Sequence, residues 1–232
     1  MSLEPNAYLS GLTSMFGVIV GWVSGFASFN KARQQNAKLL SAAGAFLICM
    51  GCLYLGPSAS FLSLLIRGTN IAPRSIAWAT YSFAPVGVAL GMYVGMSIIR
   101  PEYKKLATAI YVIMTPIYWY GLYTTPVDLL LSWDTPPNGL TDINFIGMMR
   151  IFTVFLLFSF GLILIGGFMW LSRHTSGVIH KKAVKLTIAF FAFVAFGAIE
   201  STINVPTLIG IVRVGMGLTY FTLYWVLAKS NL

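Results

Sequence analysis

Two ionisable side chains, Glu200 and Arg213, interrupt apolar segments near the end of the 232-residue chain, in AFGAIESTIN and GIVRVG. An ionisable group inside a membrane-spanning helix costs several kcal/mol and usually has a partner or a function. The turn between the two segments centres on Pro206 and Thr207. Both charges therefore lie at the same depth, roughly 9 Å below the outer surface, for a rise of about 1.5 Å per residue. The spacing predicts an ion pair, in which Arg can hold a carboxylate with two parallel hydrogen bonds.

Polar residues near Glu200 could form a binding site together with this ion pair. Ser201, Thr202 and Asn204 lie within about one helical turn of Glu200. We expect the cluster to form the floor of a small ligand pocket that opens to the outside. The alternative is a structural salt bridge that locks the last two helices together.

Side chains of the fourth apolar segment could line the same pocket. Tyr118 and Trp119 lie deep in this segment, in YWYGLY, and Asp128 lies near its outer end. Adjacent residues face different directions on a helix, so at most one or two of the three aromatic rings can point inward. The alternative is that these residues are membrane-interface anchors, where aromatic side chains collect whatever the function.

Several chemistries lack the residues that they need. The last segment has no central lysine for a retinal Schiff base, and His174 and His180 lie in a loop, away from any haem within the helices. Cys49 and Cys52 form a C-x-x-C in an apolar run, where packing explains them better than redox chemistry. No paired acids and histidines suit a membrane hydrolase. We therefore expect no enzyme, no metal and no cofactor.

The elements that must position these residues follow from composition. Hydrophobic side chains make up 57% of the chain and charged ones 9%, and the mean hydropathy is +0.80, which excludes a soluble surface. A membrane span needs about 20 apolar residues. Apolar runs predict seven such helices, at residues 8–29, 40–66, 76–99, 106–132, 146–171, 184–205 and 207–228. We therefore predict that residues 1–232 form one all-α, polytopic domain, a seven-transmembrane-helix bundle.

Lysine and arginine positions predict how this bundle is oriented. Eleven of the 15 lie in alternate loops or in the C-terminal tail, and the positive-inside rule makes that side cytoplasmic. The N-terminus is then outside and the C-terminus inside, in the plasma membrane of a prokaryote. The charge of +9 reflects topology, not nucleic-acid binding. The basic loop between the fifth and sixth helices could also attract anionic lipid or a cytoplasmic partner.

Glycines at every fourth position predict helix-packing faces on the first and third helices. Small residues let helix backbones approach closely in lipid, where hydrophobic burial between helices contributes little. Both helices run from outside to inside, so the two faces could lie side by side. The alternative is an interface in a homo-oligomer. The glycines are Gly17, Gly21 and Gly25 on the first helix, and Gly87, Gly91 and Gly95 on the third.

Prolines fall toward the outer half of three predicted helices. Pro57, Pro85 and Pro126 each free a backbone carbonyl and bend the helix, which is tolerated beside a neighbour or a wet cavity. Bends at similar depth predict a vestibule that is open to the outside. The alternative is that membrane helices simply contain more proline than soluble ones.

Seven spans, an outside N-terminus, short loops and no catalytic residues resemble the seven-helix sensory and receptor-like membrane proteins of prokaryotes. Uncharacterised archaeal seven-helix proteins and the membrane halves of some sensor kinases share this appearance. The resemblance implies that the chain senses a ligand from outside. Because no output domain follows the helices, it also implies signalling through a separate membrane or cytoplasmic partner.

Two other functions fit the same architecture. The chain is similar to sugar transporters of the SWEET type, in which two three-helix repeats flank a linker helix. The first and fifth spans, however, lack the prolines of those repeats, and IAFFAFVAF and VFLLFSFGLILIG offer no polar track toward the inside. This favours a sensor over a transporter or channel. The third possibility is a non-catalytic subunit of a membrane complex.

Overall fold

A computed structural model describes residues 4–135, 139–201 and 206–228. Helices make up most of these ranges. They are α1 Pro5–Gln35, α2 Lys38–Gly51, α3 Leu55–Arg67, α4 Pro73–Tyr81, α5 Ala84–Ile99, α6 Lys104–Thr124, α7 Val127–Leu130, α8 Gly147–His174, α9 Gly177–Glu200 and α10 Pro206–Ala228. Two 3-10 turns, Cys52–Tyr54 and Pro101–Tyr103, precede α3 and α6, and strands β1 Leu131–Asp134 and β2 Asp142–Phe145 follow α7.

Six helical segments of the described chain are long and apolar enough to cross a membrane. This confirms the predicted all-α, integral membrane character, and each of the six overlaps a predicted span. The segments are Pro5–Gln35, Lys38–Arg67, Pro73–Ile99, Gly147–His174, Gly177–Glu200 and Thr207–Ala228.

The predicted fourth span, 106–132, needs correction. Its helix, α6, ends at Thr124, and the chain then forms the short α7 and the strand β1. Pro126 explains the boundary, because a proline disfavours the helical conformation of the residue before it, and Thr125 is indeed extended. The tyrosines, threonines and Trp119 of α6 also make it less apolar than the other long helices.

The helices contact one another in chain order and form a closed ring. The first long segment packs on the second, the second on α5, α5 on α8, α8 on α9, α9 on α10, and α10 again on α1. Helix α6 lies outside this ring, against α5 and α8. The ring is filled by aromatic side chains, which are Phe46, Phe160, Phe168, Phe190 and Phe193.

The helix breaks near Pro57 and Pro85 are closed by neighbouring side chains. Both prolines lie in the first turn of a new helix, α3 or α5, where the amide hydrogen that proline lacks is not needed. The carbonyl of Ser82, between α4 and α5, accepts a hydrogen bond of 2.8 Å from the indole nitrogen of Trp119. The bends are therefore packed against protein.

A β-hairpin packs on α4, α7 and α8 at the end of the bundle where a vestibule was expected. Strands β1 and β2 are antiparallel, with Leu131 opposite Phe145. Both of these side chains are buried, and the Phe145 ring lies 4.4 Å from that of Tyr81. The side chain of Asn70, between α3 and α4, donates to the carbonyl of Gly139 at 2.9 Å. The hairpin is thus fastened to the helix ends and occupies part of the region where an open vestibule was expected.

The predicted glycine faces lie at helix contacts within the chain, but they do not face each other. A Cβ atom on Gly21 would lie 2.7 Å from the Cα atom of Gly51, so the backbones of α1 and α2 touch there. On α5, a Cβ on Gly91 or Gly95 would meet Phe160 or Leu164 of α8. The glycines of α1 therefore serve the contact with α2, and those of α5 serve contacts with α8 and α2.

This packing predicts that Gly21→Ala destabilises the fold. The added methyl group meets backbone that cannot rotate away, so we expect a loss of about 1–3 kcal/mol in the free energy of unfolding. The measurement is unfolding in detergent micelles. The matched control is Gly166→Ala on α8, where a Cβ meets nothing within 4 Å. Equal stability of the two variants would contradict the close approach of α1 and α2.

Candidate functional site

The predicted ion pair between Glu200 and Arg213 forms. Glu200 is the last residue of α9, and its Oε1 lies 2.7 Å from Nε of Arg213 on α10. Arg213 stands about two turns after Pro206, where α10 begins. The pair thus joins the end of one helix to the start of the next, at the same end of the bundle as the N-terminus of α1.

Two serines on α1 accept further hydrogen bonds from the Arg213 guanidinium. Its NH1 group donates to the Oγ atoms of Ser10 and Ser14, each at 2.7 Å, and to the backbone carbonyl of Ser10 at 3.1 Å. Residues four apart share one face of a helix, so both hydroxyls point toward α10. The side chain of Arg213 is 9% exposed, which makes these bonds necessary, because an unsatisfied buried cation is costly.

A tyrosine in the second span completes the network. The hydroxyl of Tyr54 donates to Oε2 of Glu200 at 2.8 Å, and its ring lies 5.7 Å from the guanidinium carbon of Arg213. Tyr54 ends the 3-10 turn that interrupts this span. Just before the turn, the carbonyl of Met50 accepts a hydrogen bond of 3.1 Å from Tyr220 of α10. The break in the second span is therefore tied to α9 and α10.

We call Ser10, Ser14, Tyr54, Glu200 and Arg213 the polar network. It joins α1, the second span, α9 and α10 through charge-assisted hydrogen bonds, which are stronger than neutral ones. Its two charges differ in access, because the Glu200 side chain is 22% exposed and the Arg213 side chain is 9% exposed. Of the two charges, the carboxylate is therefore the one that a solute can approach more easily.

Three of the other predicted site residues lie elsewhere in the bundle. Tyr118 is buried between α6 and α8, where its hydroxyl accepts a hydrogen bond of 3.2 Å from Thr153. Trp119 bonds the carbonyl of Ser82, and Asp128 is exposed on α7. Because α6 packs on α5 and α8, this group is on the far side of the ring from α1 and α10.

Ser201 and Asn204 are the two predicted site residues that lie next to Glu200 in the chain. Ser201 is exposed, and its hydroxyl donates to the carbonyl of Ala198 at 2.8 Å. Asn204 lies outside the described residues. Of the seven predicted ligand-binding residues, the structure brings Glu200 and Arg213 together.

Sequence reasoning missed Ser10, Ser14 and Tyr54. A signal existed in α1, because two serines four residues apart in an apolar helix mark one polar face. No local signal links that face to Arg213, which is 199 residues away from Ser14 in the chain. Tyr54 resembles any aromatic residue of a membrane helix until the order of the helices is known.

The interior below the network is closed. A void of about 10 Å³ lies between Phe46, Phe168 and Phe190, too small for more than one water molecule. Its other walls are aliphatic side chains and glycines. No group of three or more His, Cys, Asp or Glu side chains within the described ranges could hold a metal ion.

Comparison with known proteins adds no family to this description. No protein-family model matches the chain, and neither the curated proteins nor the solved structures include a match. The function must therefore be argued from the polar network, the closed interior and the distribution of charge.

The network predicts strong coupling between Glu200 and Arg213. Arg213→Met leaves the partly buried carboxylate of Glu200 without its cation, so we expect a loss of about 2–4 kcal/mol in the free energy of unfolding. Glu200→Gln should also destabilise, because the guanidinium loses its anion. The double variant removes both charges and should be more stable than Arg213→Met alone. Unfolding of the wild type, the two single variants and the double variant in detergent measures the coupling energy. Losses of stability that simply add would show that the two charges do not interact.

Tyr54→Phe should cost about 1.5–3 kcal/mol, which is typical of a hydrogen bond to a charged group. The same substitution in a Glu200→Gln background should cost less, because the acceptor is then neutral. Unfolding in detergent again provides the measurement, and Tyr8→Phe near the start of α1 is the control for losing a tyrosine hydroxyl. If Tyr54→Phe costs the same free energy of unfolding with Glu200 as with Gln at position 200, the hydroxyl does not belong to the network.

Proposed function

We propose that this protein is a seven-helix membrane sensor of the receptor-like type, with the polar network as its responsive element. In this proposal α6 is the seventh span, the N-terminus and the network face the outside, and the basic end faces the cytoplasm. The positive-inside rule supports the orientation. The 21-residue length of α6 and its packing along α5 support its crossing.

The observation that carries the proposal is the position of Glu200 in the network. Its partly exposed carboxylate connects, through one or two hydrogen bonds, to α1, the second span and α10. A solute that interacts with this carboxylate competes with Tyr54 and Arg213. Binding then changes the balance between two arrangements of several helices, provided that its affinity for the two arrangements differs.

A sensor explains the rest of the bundle better than a transporter does. Transport needs an alternating path to the other side, with its site near the middle of the membrane. Phe46, Phe160 and Phe190 pack against one another in the middle of the ring, with ring centres 5.9 to 6.4 Å apart. Such a core supports a site that is closed at its base. The signal then passes through helix movement to a separate membrane or cytoplasmic partner.

A screen of small polar solutes by thermal stability tests the proposal. A ligand that binds only the folded protein raises its stability by about 2.7 kcal/mol at 100 times its dissociation constant. We expect at least one solute class to raise the melting temperature of the wild type in detergent. The same solute should not change the melting temperature of the Glu200→Gln/Arg213→Met double variant, relative to that variant without solute.

Two results would contradict the sensor proposal. The first is a solute that raises the melting temperatures of the wild type and the double variant equally, because such a solute binds outside the polar network. A solute that binds the network and also accumulates in liposomes containing the wild type, but not in liposomes containing the double variant, would identify a transporter. Arg150→Gln, a change of an exposed cation at the start of α8, is the control for general charge effects.

A further inference from the structure

We propose that one corner of the basic end binds the headgroup of an anionic phospholipid. Four residues define this lipid corner: Arg100 after α5, Lys104 at the start of α6, and Trp170 and Arg173 in the last turns of α8. The inference is independent of the sensor proposal, because it concerns the opposite end of the bundle from the polar network.

Aromatic rings hold the cations of this corner in place. The guanidinium carbon of Arg100 lies 4.5 Å from the ring centre of Trp170, which in turn stacks on His174 at 4.6 Å. The ammonium group of Lys104 lies 5.7 Å from the ring centre of Tyr93. Tryptophan and tyrosine rings prefer the level of the lipid headgroups, so these contacts keep both cations at that level. The Arg100 side chain is still 45% exposed and can donate hydrogen bonds to a phosphate.

The charge around the corner is almost entirely positive. Glu102 is the one acid at this end within the described residues, and it lies 3.8 Å from Arg100 with 57% of its side chain exposed. Such an exposed pair contributes little and leaves Arg100 available. Basic groups of this kind between helix ends bind anionic lipid headgroups. The described cations of this end are Lys31, Arg33, Lys38, Arg100, Lys104, Lys105, Arg173, Lys181, Lys182 and Lys185.

An exposed apolar face of α8 gives an acyl chain a surface below the headgroup. Gly166 lies four residues before Trp170, on the same exposed face, and a Cβ atom there would meet nothing within 4 Å. Leu162 and Met169 beside it are 53% and 42% exposed, which is expected where a helix meets lipid. The corner thus offers cations for a phosphate and, one turn deeper, apolar surface for a chain.

Membrane topology alone does not explain this arrangement. The positive-inside rule requires cations in the loops but no particular partner for them. Here Arg100 and Lys104 each lie against an aromatic ring. The ammonium group of Lys185 likewise lies 4.5 Å from the ring centre of Trp225 on α10. Cations fixed in position lose less conformational entropy when they bind a headgroup.

Native mass spectrometry of the whole protein in mild detergent provides the test. The probes are phosphatidylglycerol and phosphatidylcholine with identical acyl chains, added at equal concentrations. We expect the wild type to bind phosphatidylglycerol at least tenfold more tightly. The variant Arg100→Gln/Lys104→Gln should lose most of this preference, because each cation near the surface contributes to the attraction. Arg33→Gln/Lys38→Gln, which removes one arginine and one lysine at the same end, should keep it.

Three results would overturn the proposal. They are equal binding of the two lipids by the wild type, equal loss of preference in both double variants, and preference that survives in Arg100→Gln/Lys104→Gln. A parallel titration with glycerol phosphate separates a lipid from a soluble phosphate. Binding of glycerol phosphate as tight as that of phosphatidylglycerol would assign the corner to a soluble ligand instead. Thermal unfolding of each variant in detergent verifies that it is folded.

Discussion

The bundle depends on satisfying the guanidinium of Arg213 where little water is present. A cation at this depth must find acceptors within the protein, and it finds them on three elements other than its own helix. Glu200 supplies the opposite charge from α9, Ser14 and its neighbour supply oxygens from α1, and Tyr54 supplies its ring from the second span. This requirement and the close contact at Gly21 together hold α1, the second span, α9 and α10 side by side. The network is therefore a structural joint whose carboxylate is partly exposed.

The sequence predicted the membrane class, six of the spans and the ion pair, because each of these depends on local composition or on a short separation along the chain. Glu200 and Arg213 are on helices that only five residues separate in the chain, so their depth could be calculated. The helix contacts of Gly21 and Gly91 could not be calculated, because a glycine face shows that a neighbour is close without showing which one. Ser10 and Tyr54 were missed for the same reason, since their partners are more than a hundred residues away. The hairpin of β1 and β2 escaped notice because Pro126 was counted as a bend within a helix.

The two ends of the molecule place their charged side chains in different environments. At one end, buried charges pair with each other, and the hairpin covers the neighbouring helix ends. At the other end, Arg100 and Lys185 are exposed and lie against tryptophan rings, which suits a boundary with lipid headgroups. Between them, aromatic side chains around Phe160 fill the core of the described bundle.

Hydrogen exchange of the backbone amides tests most directly whether the polar network joins separate helices. The account predicts that Glu200→Gln, although it changes α9, raises exchange in the first turns of α1 around Ser14 and in α10 around Arg213 together. The reason is that local opening of a shared network exposes every element that it ties down. Exchange that increases only at the end of α9, with α1 and α10 as protected as in the wild type, would contradict the account.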